Sequence, residues 1–482
     1  MNDIKKIYLP LIFSLIAAAA VSQNNMVPAG IAGGLSLQGK DSLSCIHIRQ
    51  IHIKGNKKTR DHIILREIQF KAGDSILLTR LNTELVHARE QVYNSNLFFE
   101  VKIDTFQVSK NEIDIEVKVK ERWYIYPIPQ FQLVDRNFNE WYVKYKADLS
   151  RVTYGIKFTH YNLTGSRDQL SIYLLNGFTR NLSFSYSQPF TNKALTRGFG
   201  FAGGLLQSRQ INYATSFHNK LLAFNNGDFS GTSFFASVGY IIRRAIRERH
   251  IFSIAYTHIK VADSVVTALY NPNYFKTSRS SLGYPELSYT YLYTDVDNVA
   301  YPLKGKTVFA TALKRGFGIK AGINMFSLEA GYNKYWDMKK RWYGSVQLSG
   351  KIKLPFDQAY INQRAMGYGD TYLRGLEYYV IDGAAYGLAR STLKKKLFSF
   401  SIPFTFRSKQ LKIPFAIFAK TFADLGYSYN KKKYGTYLNN RVLCTSGFGI
   451  DILTVYDVNF RIEYSFNQLN ENGLFLHARG GF

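Results

Sequence analysis

The chain has 482 residues, 62 Lys plus Arg against 34 Asp plus Glu, a formal charge of +28, 35 Tyr, 36 Phe and two cysteines. That length holds two or three domains, the cysteine count leaves no disulfide framework, and no stretch after residue 22 approaches the roughly 18 apolar residues a membrane helix needs. The basic balance suggests nucleic acid, but the N-terminus argues for export. Lys5 and Lys6 precede an apolar run from Ile7 to Val21, and Ala20-Val21-Ser22 places small residues where a signal peptidase cuts. Residues 1–22 therefore read as a signal peptide and 23–45 as a linker. Nucleic acid is set aside as a partner; anionic lipid headgroups, acidic clients or solvated loop charge account for the excess.

Residues 46–121 read as a small α+β domain. Ile46, Ile48, Gln50, His52 and Lys54 alternate with His47, Arg49, Ile51 and Ile53, and Gly55-Asn56 marks a turn. Thr59 is the expected N-cap of a helix from Asp61, with Ile63, Ile64, Glu67 and Ile68 at helical spacing. After Lys71-Ala72-Gly73-Asp74, a longer helix carries Leu78, Leu81, Leu85, Ala88 and Val92 on one face. Strands from Phe98 to Val108 and from Ile113 to Val119 close the unit. The order is β-α-α-β-β, a three-stranded sheet covered by two helices.

The string Ile53-Lys54-Gly55-Asn56-Lys57-Lys58-Thr59, then Gly73, then Asn96-Leu97-Phe98-Phe99-Glu100-Val101, then Ile115 to Glu121, resembles a polypeptide-transport-associated (POTRA) domain. Such domains precede barrels of the BamA/TamA outer-membrane assembly superfamily. The resemblance implies a periplasmic domain, signed by Gly55, Asn56, Gly73, Leu97 and Phe98, that meets unfolded client polypeptides, or periplasmic and lipoprotein partners, by strand addition at a sheet edge. A rigid spacer is the plainer alternative.

From residue 122 to 482 the pattern has period 2. Leu182, Phe184 and Tyr186 alternate with serines; Val346, Leu348, Gly350, Ile352 and Leu354 alternate with Gln347, Ser349, Lys351 and Lys353; Tyr456 to Asn467 alternates likewise. One face is apolar and the other polar, as a transmembrane barrel requires when lipid lies outside and a lumen inside. Its backbone groups must all be paired, so the sheet must close. The length allows about 16 antiparallel strands of about 9–11 residues each. Asn162-Leu163-Thr164-Gly165-Ser166 and Pro302-Leu303-Lys304-Gly305 are turns. Gly198-Phe199-Gly200-Phe201-Ala202-Gly203 fits a nucleotide-loop spelling but lacks a following helix pattern, so it reads as strand glycines.

Three constellations stand out. Leu474, Leu476, Ala478, Gly480 and Phe482 share one face of a terminal strand, which looks like the insertion signal of outer-membrane barrels. Gly367 to Leu376 resembles the superfamily's loop hallmark through Leu373-Arg374-Gly375, departing at Leu376 where an aromatic is usual. Phe422-Ala423-Asp424-Leu425-Gly426 resembles its late-strand Phe-x-Asp-x-Gly. The resemblance implies that Arg374 reaches Asp424 in the lumen and pins the loop, through the two parallel bonds a guanidinium makes to a carboxylate. Thr392 stands where the family often has a carboxylate. Finally, Pro127 and Pro129 in the first strand and Gly480-Gly481 in the last weaken their ladders, suggesting a seam that opens sideways.

No paired metal spacing is seen among the nine His, and no cofactor is expected; Lys394-Lys395-Lys396 and Lys431-Lys432-Lys433 read as loop charge, with lipopolysaccharide phosphate the sharper alternative. The expectation is a non-enzymatic protein of the cell outer membrane that inserts or exports client polypeptides. A passive channel or a docking protein is the alternative.

Overall fold

The computed structural model describes residues 44–133, 146–318, 323–406, 409–431 and 436–479. The expected signal peptide, most of the linker, and Gly480, Gly481 and Phe482 lie outside these residues.

The N-terminal domain is built from β1 (Cys45–Lys54), α1 (Asp61–Leu65), β2 (Ser75–Leu77), α2 (Leu78–Tyr93), β3 (Phe98–Ser109) and β4 (Glu112–Glu121). Its sheet runs β2-β1-β4-β3, with β1 parallel to β4. The sheet thus has four strands rather than three, because the residues after Gly73 turn back to pair Ser75–Leu77 with β1 before α2 begins. The register of β1 against β4 shifts between Ile48 and Gln50. That bulge changes which face the later residues occupy. It lets Ile51 and Ile53 join Ile46 and Ile48 against the core, although they stand on opposite faces of a simple alternation. Leu81, Leu85, Ala88 and Val92 cover this core from α2.

Gly55 has φ +94°, and a Cβ there would sit 2.0 Å from the Val119 carbonyl oxygen. Gly55→Ala is expected to expose this domain to trypsin while the barrel keeps its heat-dependent gel shift; equal digestion of variant and parent would refute the steric argument.

Sixteen antiparallel strands form the second unit. They begin with β5 (Ile125–Leu133), β6 (Val152–Tyr161), β7 (Gln169–Gly177), β8 (Thr179–Gln188) and β9 (Arg197–Ser208). A small hairpin, β10 (Gln210–Thr215) with β11 (Leu221–Asn225), interrupts the wall. The wall resumes with β12 (Gly231–Ile242), β13 (Glu248–Val261), β14 (Ser281–Val296), β15 (Gly305–Arg315), β16 (Met325–Asp337) and β17 (Trp342–Leu354). A long loop holding β18 (Arg364–Met366) and β19 (Ile381–Asp382) follows. The wall then closes its sequence with β20 (Ala385–Phe406), β21 (Lys409–Tyr429), β22 (Val442–Leu453), β23 (Asn459–Asn467) and β24 (Asn472–Arg479). Each wall strand pairs with its sequence neighbour in the wall, and β5 and β24 are the two ends of the order.

The outer face is apolar. Leu182, Val238, Ile254, Leu348, Phe448 and Leu476 are exposed along it, while Lys351–Glu329 and Arg315–Glu286 pair on the inner face. Such a belt is stable only where something other than water covers it. No helix of the described residues is long and apolar enough to cross a membrane, which says nothing of crossing by strands.

Two readings of the sequence do not hold in the fold. Lys394-Lys395-Lys396 lies inside β20 and not on a loop: Lys394 faces the lumen, 3.5 Å from Asp451. The alternation beginning at Tyr456 starts as a strand only at Asn459, because residues 455–457 form a 3-10 turn. Of the run 431–433, only Lys431 lies within the described residues.

Two wall strands, β20 and β21, extend beyond their neighbours. β20 pairs with β17 only up to Lys395, and β21 pairs with β22 only from Ala416 onward. Residues 400–406 and 409–415 therefore pair with each other beyond the wall, on the side of the N-terminal domain. At about 3.4 Å per residue this ribbon projects roughly 24 Å.

Candidate functional site

The loop after β17 folds inward and is held by a dense set of contacts. Arg374 donates from its backbone N to Asp424 Oδ2 at 3.1 Å and from Nε to the same oxygen at 2.9 Å, while Nη2 binds Oδ1. Its remaining donors reach Thr392 Oγ1 at 3.0 Å and the Ser391 carbonyl at 3.1 Å. The guanidinium also lies 4.0 Å from the centre of the Phe422 ring. Asp424 is buried, so the bidentate pair is shielded from water.

Each residue of the two motifs has a physical task. Leu373 is buried, and a Cβ on Gly426 would lie 2.8 Å from its Cδ1; Gly426 makes room for Leu373. Gly375 has φ +89°, faces Ser465 closely, and its carbonyl accepts from Asn467 Nδ2 at 2.9 Å. Leu376, the departure from the family's aromatic, packs with Leu373, Met366 and Leu443 in a small core. Thr392 supplies a neutral acceptor to Arg374, so a single carboxylate, Asp424, carries the charge of the contact. Arg390 bonds the carbonyls of Tyr372 and Asp370, adding a second strap from β20 to the same loop.

Beyond this loop, Asn219 between β10 and β11 is wholly buried. It bonds the Val380 carbonyl, and its Oδ1 accepts from Leu438 N. Loops at this end thus pack over one another, with a second core of Val265, Tyr274, Phe275 and Ile323.

At the opposite end the N-terminal domain is docked on the barrel's turns. Thr59 is not a helix cap: the N-cap is Arg60, which makes no side-chain cap bond, and Thr59 Oγ1 instead meets Tyr124 OH at 3.0 Å and Asn162 Nδ2 at 2.9 Å. Arg60 N donates to the Gly165 carbonyl. Glu67 is paired with Arg243 and with Arg167, the latter at 3.0 Å. Burial alone pushes the Glu67 carboxyl up, but Arg243 and Arg167 overcome it and hold it at about 2. Arg122 reaches Asp457 at 2.8 Å, where Tyr93 OH and Asn298 Nδ2 also converge. Asn94 bonds the Val296 carbonyl, and Arg66 the Leu195 carbonyl. Five turns, after β6, β8, β12, β14 and β22, therefore touch the domain, which lies across that mouth of the barrel. Glu67, Arg243 and Arg167 are not legible in the sequence as functional residues; of the docking turns, only segments 162–166 and 302–305 are, and only as turns.

The other sequence candidates sit as follows. Pro127 and Pro129 lie in β5, paired with Phe158 and Ile156 of β6. Leu474 and Leu476 are exposed on the outer face of β24. Asn56 Nδ2 donates to the Thr59 carbonyl and to Asp61; Gly73 has φ +96°; Leu97 and Phe98 are buried in the domain core. Gly198, Gly200 and Gly203 all lie in β9. One cluster escaped the spacing argument: His477 of β24 meets Glu463 of β23 and Glu377 of the loop. Glu463 and His477 are diagonal neighbours across the β23–β24 hairpin, and the inward loop brings Glu377, 86 positions before Glu463, against them.

Comparison with known proteins agrees with this architecture. The POTRA family model, described as "Surface antigen variable number repeat", matches residues 46–122. A protein named outer membrane protein assembly factor BamA from Neorickettsia risticii (strain Illinois) is 26% identical over 258 residues, covering 54% of this chain and 30% of that protein. A BamA of Nitratidesulfovibrio vulgaris is 31% identical over 78 residues, covering 16% and 9%. The chain therefore spans under a third of the length of these relatives. Among solved structures, CdiB from Escherichia coli aligns over 90% of this chain and 75% of its own, with a TM-score of 0.53 and 10% identity, a likeness of fold. A POTRA domain thus precedes a 16-stranded antiparallel sheet, and the chain is similar to BamA proteins in sequence and to CdiB in fold.

Proposed function

We propose that the protein inserts or translocates client polypeptides at the outer membrane, with the POTRA domain in the periplasm. The observation that carries this reading is the contrast between closed mouths and an open edge. The POTRA domain lies across one mouth and packed loops cover the other, so the lumen is a poor route for solutes. Meanwhile β5 and β24 end the sheet, and among the described residues no ladder joins them. Unpaired backbone at such an edge binds extended chain by hydrogen bonds and tolerates many sequences. Pro127 and Pro129 lack the amide hydrogens a firm ladder needs. Client folding into its own sheet supplies the working energy, with no cofactor.

Outer-membrane proteomics after depletion is the test. Loss of a defined set of membrane or surface proteins is the expected result. An unchanged proteome with altered solute uptake would favour the passive channel. A disulfide between cysteines placed in β5 and β24, in a chain lacking Cys45 and Cys444, is expected to block assembly reversibly; full activity of the cross-linked protein would remove the seam from the mechanism.

A further inference from the structure

We propose that Glu377, Glu463 and His477 form a site for one divalent transition-metal ion, which ties the inward loop to the last strand of the barrel. Their ligand atoms lie within 4.8 Å of one another. His477 Nε2 is 3.1 Å from Glu377 Oε1 and 3.6 Å from Glu463 Oε2. A single ring nitrogen thus faces two carboxylates, and one N–H cannot satisfy both. Ligands about 2.0–2.2 Å from a tetrahedral metal stand roughly 3.3–3.6 Å apart, which matches this spacing.

A second observation points the same way. Glu463 has no exposed side-chain surface, and neither of its oxygens makes a hydrogen bond of good geometry. Lys420 Nζ approaches Oε1 at 2.5 Å as an ion pair, but it also serves Asp451, so its charge is divided between two carboxylates. Oε2 is the oxygen left for His477. A buried carboxylate oxygen without a partner is costly, and a cation placed between Glu463, Glu377 and His477 satisfies all three groups at once.

The surroundings suit an ion. The Tyr372 ring lies nearly parallel to the His477 imidazole, 6.1 Å away between centres, and holds its orientation. Glu377 and His477 keep 16% and 21% of their side-chain surface exposed, leaving a way in and room for a water as fourth ligand. Because Lys420, Arg374 and Arg461 already act on Glu463, the ion must bind through more than charge. The imidazole favours zinc, iron or nickel over calcium or magnesium, which prefer oxygen alone.

The consequence follows from position. Arg374 fastens the loop to β21, and three residues later Glu377 would fasten it to β24, one edge of the seam. That consequence rests on the seam reading above; metal binding itself does not.

The test uses the full chain, refolded in detergent without a histidine tag. Zn2+ is titrated calorimetrically, and Co2+ is followed by its visible absorption. About one equivalent per chain is expected. Glu377→Gln and His477→Gln should each weaken binding by about tenfold or more, while His477→Cys, which replaces one ligand by another, should retain it. Absence of Zn2+ uptake by the parent protein, or uptake unchanged in both Gln variants, would overturn the site. Loss of client assembly with Zn2+ binding intact would instead count against the proposed function and leave the site standing.

Discussion

Arg374→Ala is expected to release the loop between β17 and β20 without unfolding the barrel. The substitution removes both bonds to Asp424 and the bonds to Thr392 and Ser391, and it leaves a buried carboxylate with no guanidinium. Breaking a buried pair from one side costs about 3–5 kcal/mol. The loop is joined to the wall by contacts of its own, so the loss is local: the sixteen-strand ladder does not depend on it. Protease cutting within residues 355–384 should rise, and the gel shift that marks a folded barrel should persist. Arg374→Lys should fall between, since an ammonium cannot make the paired bonds of a guanidinium. Asp424→Ala alone should be damaging for the complementary reason. In the double variant the second change should add little, because both remove one interaction. Full additivity, or loop cutting no faster than in the parent protein, would show that Arg374 and Asp424 do not act as a unit. If the loop positions clients at the seam, assembly activity falls with loop release; retained activity would separate the anchor from the function.

Much of this architecture is written in short-range pattern. Period-2 alternation over Leu182–Tyr186 and Val346–Leu354 specifies strands, and the apolar members do lie on the outer face. Arg374 and Asp424 are legible only because two motifs resemble a family; nothing local in either says that they meet across fifty residues. What escaped is what depends on placement in space. The bulge after Ile48 leaves no mark in the alternation except an awkward change of face. Glu67 looks like one more polar residue of a helix, yet it accepts from arginines that a pair of distant turns bring to it. Thr59 has the chemistry of a cap and is used instead as a link to Asn162. The ribbon of β20 and β21 is invisible because its strands read the same whether or not a neighbour lies beside them.

Acidification is expected to loosen the POTRA domain from the barrel, with Glu67 as the responsive group. Its carboxyl sits at about 2 in the docked state against an ordinary value of 4.5. The docked state therefore favours the charged form. The contribution is whole above about pH 4.5, shrinks as pH falls through that interval, and is gone below about pH 2; the full shift corresponds to roughly 3 kcal/mol. The net value of the cluster is smaller, because burial disfavours the charge on Arg167 as well, drawing it down to about 9, though it stays cationic at neutral pH. Glu67→Gln keeps the shape and removes the charge, leaving Arg243 and Arg167 close together and buried without a carboxylate, so undocking should occur already at neutral pH. Two readouts follow from the domain's place across the mouth: in planar bilayers the variant should show open events of larger conductance, and a thiol-reactive probe should reach a cysteine set at Tyr124, which is covered in the docked state. The parent protein should acquire the same behaviour only as pH is lowered toward about 3, with the variant insensitive to that change. Salt should matter little for either, since the pair is out of solvent and screening acts on exposed charge. A variant that stays closed at neutral pH, or one that follows the parent's pH response, would show that Glu67 is not what holds the domain in place, and the burden would pass to Arg122 and Asp457 on the far side of the same interface.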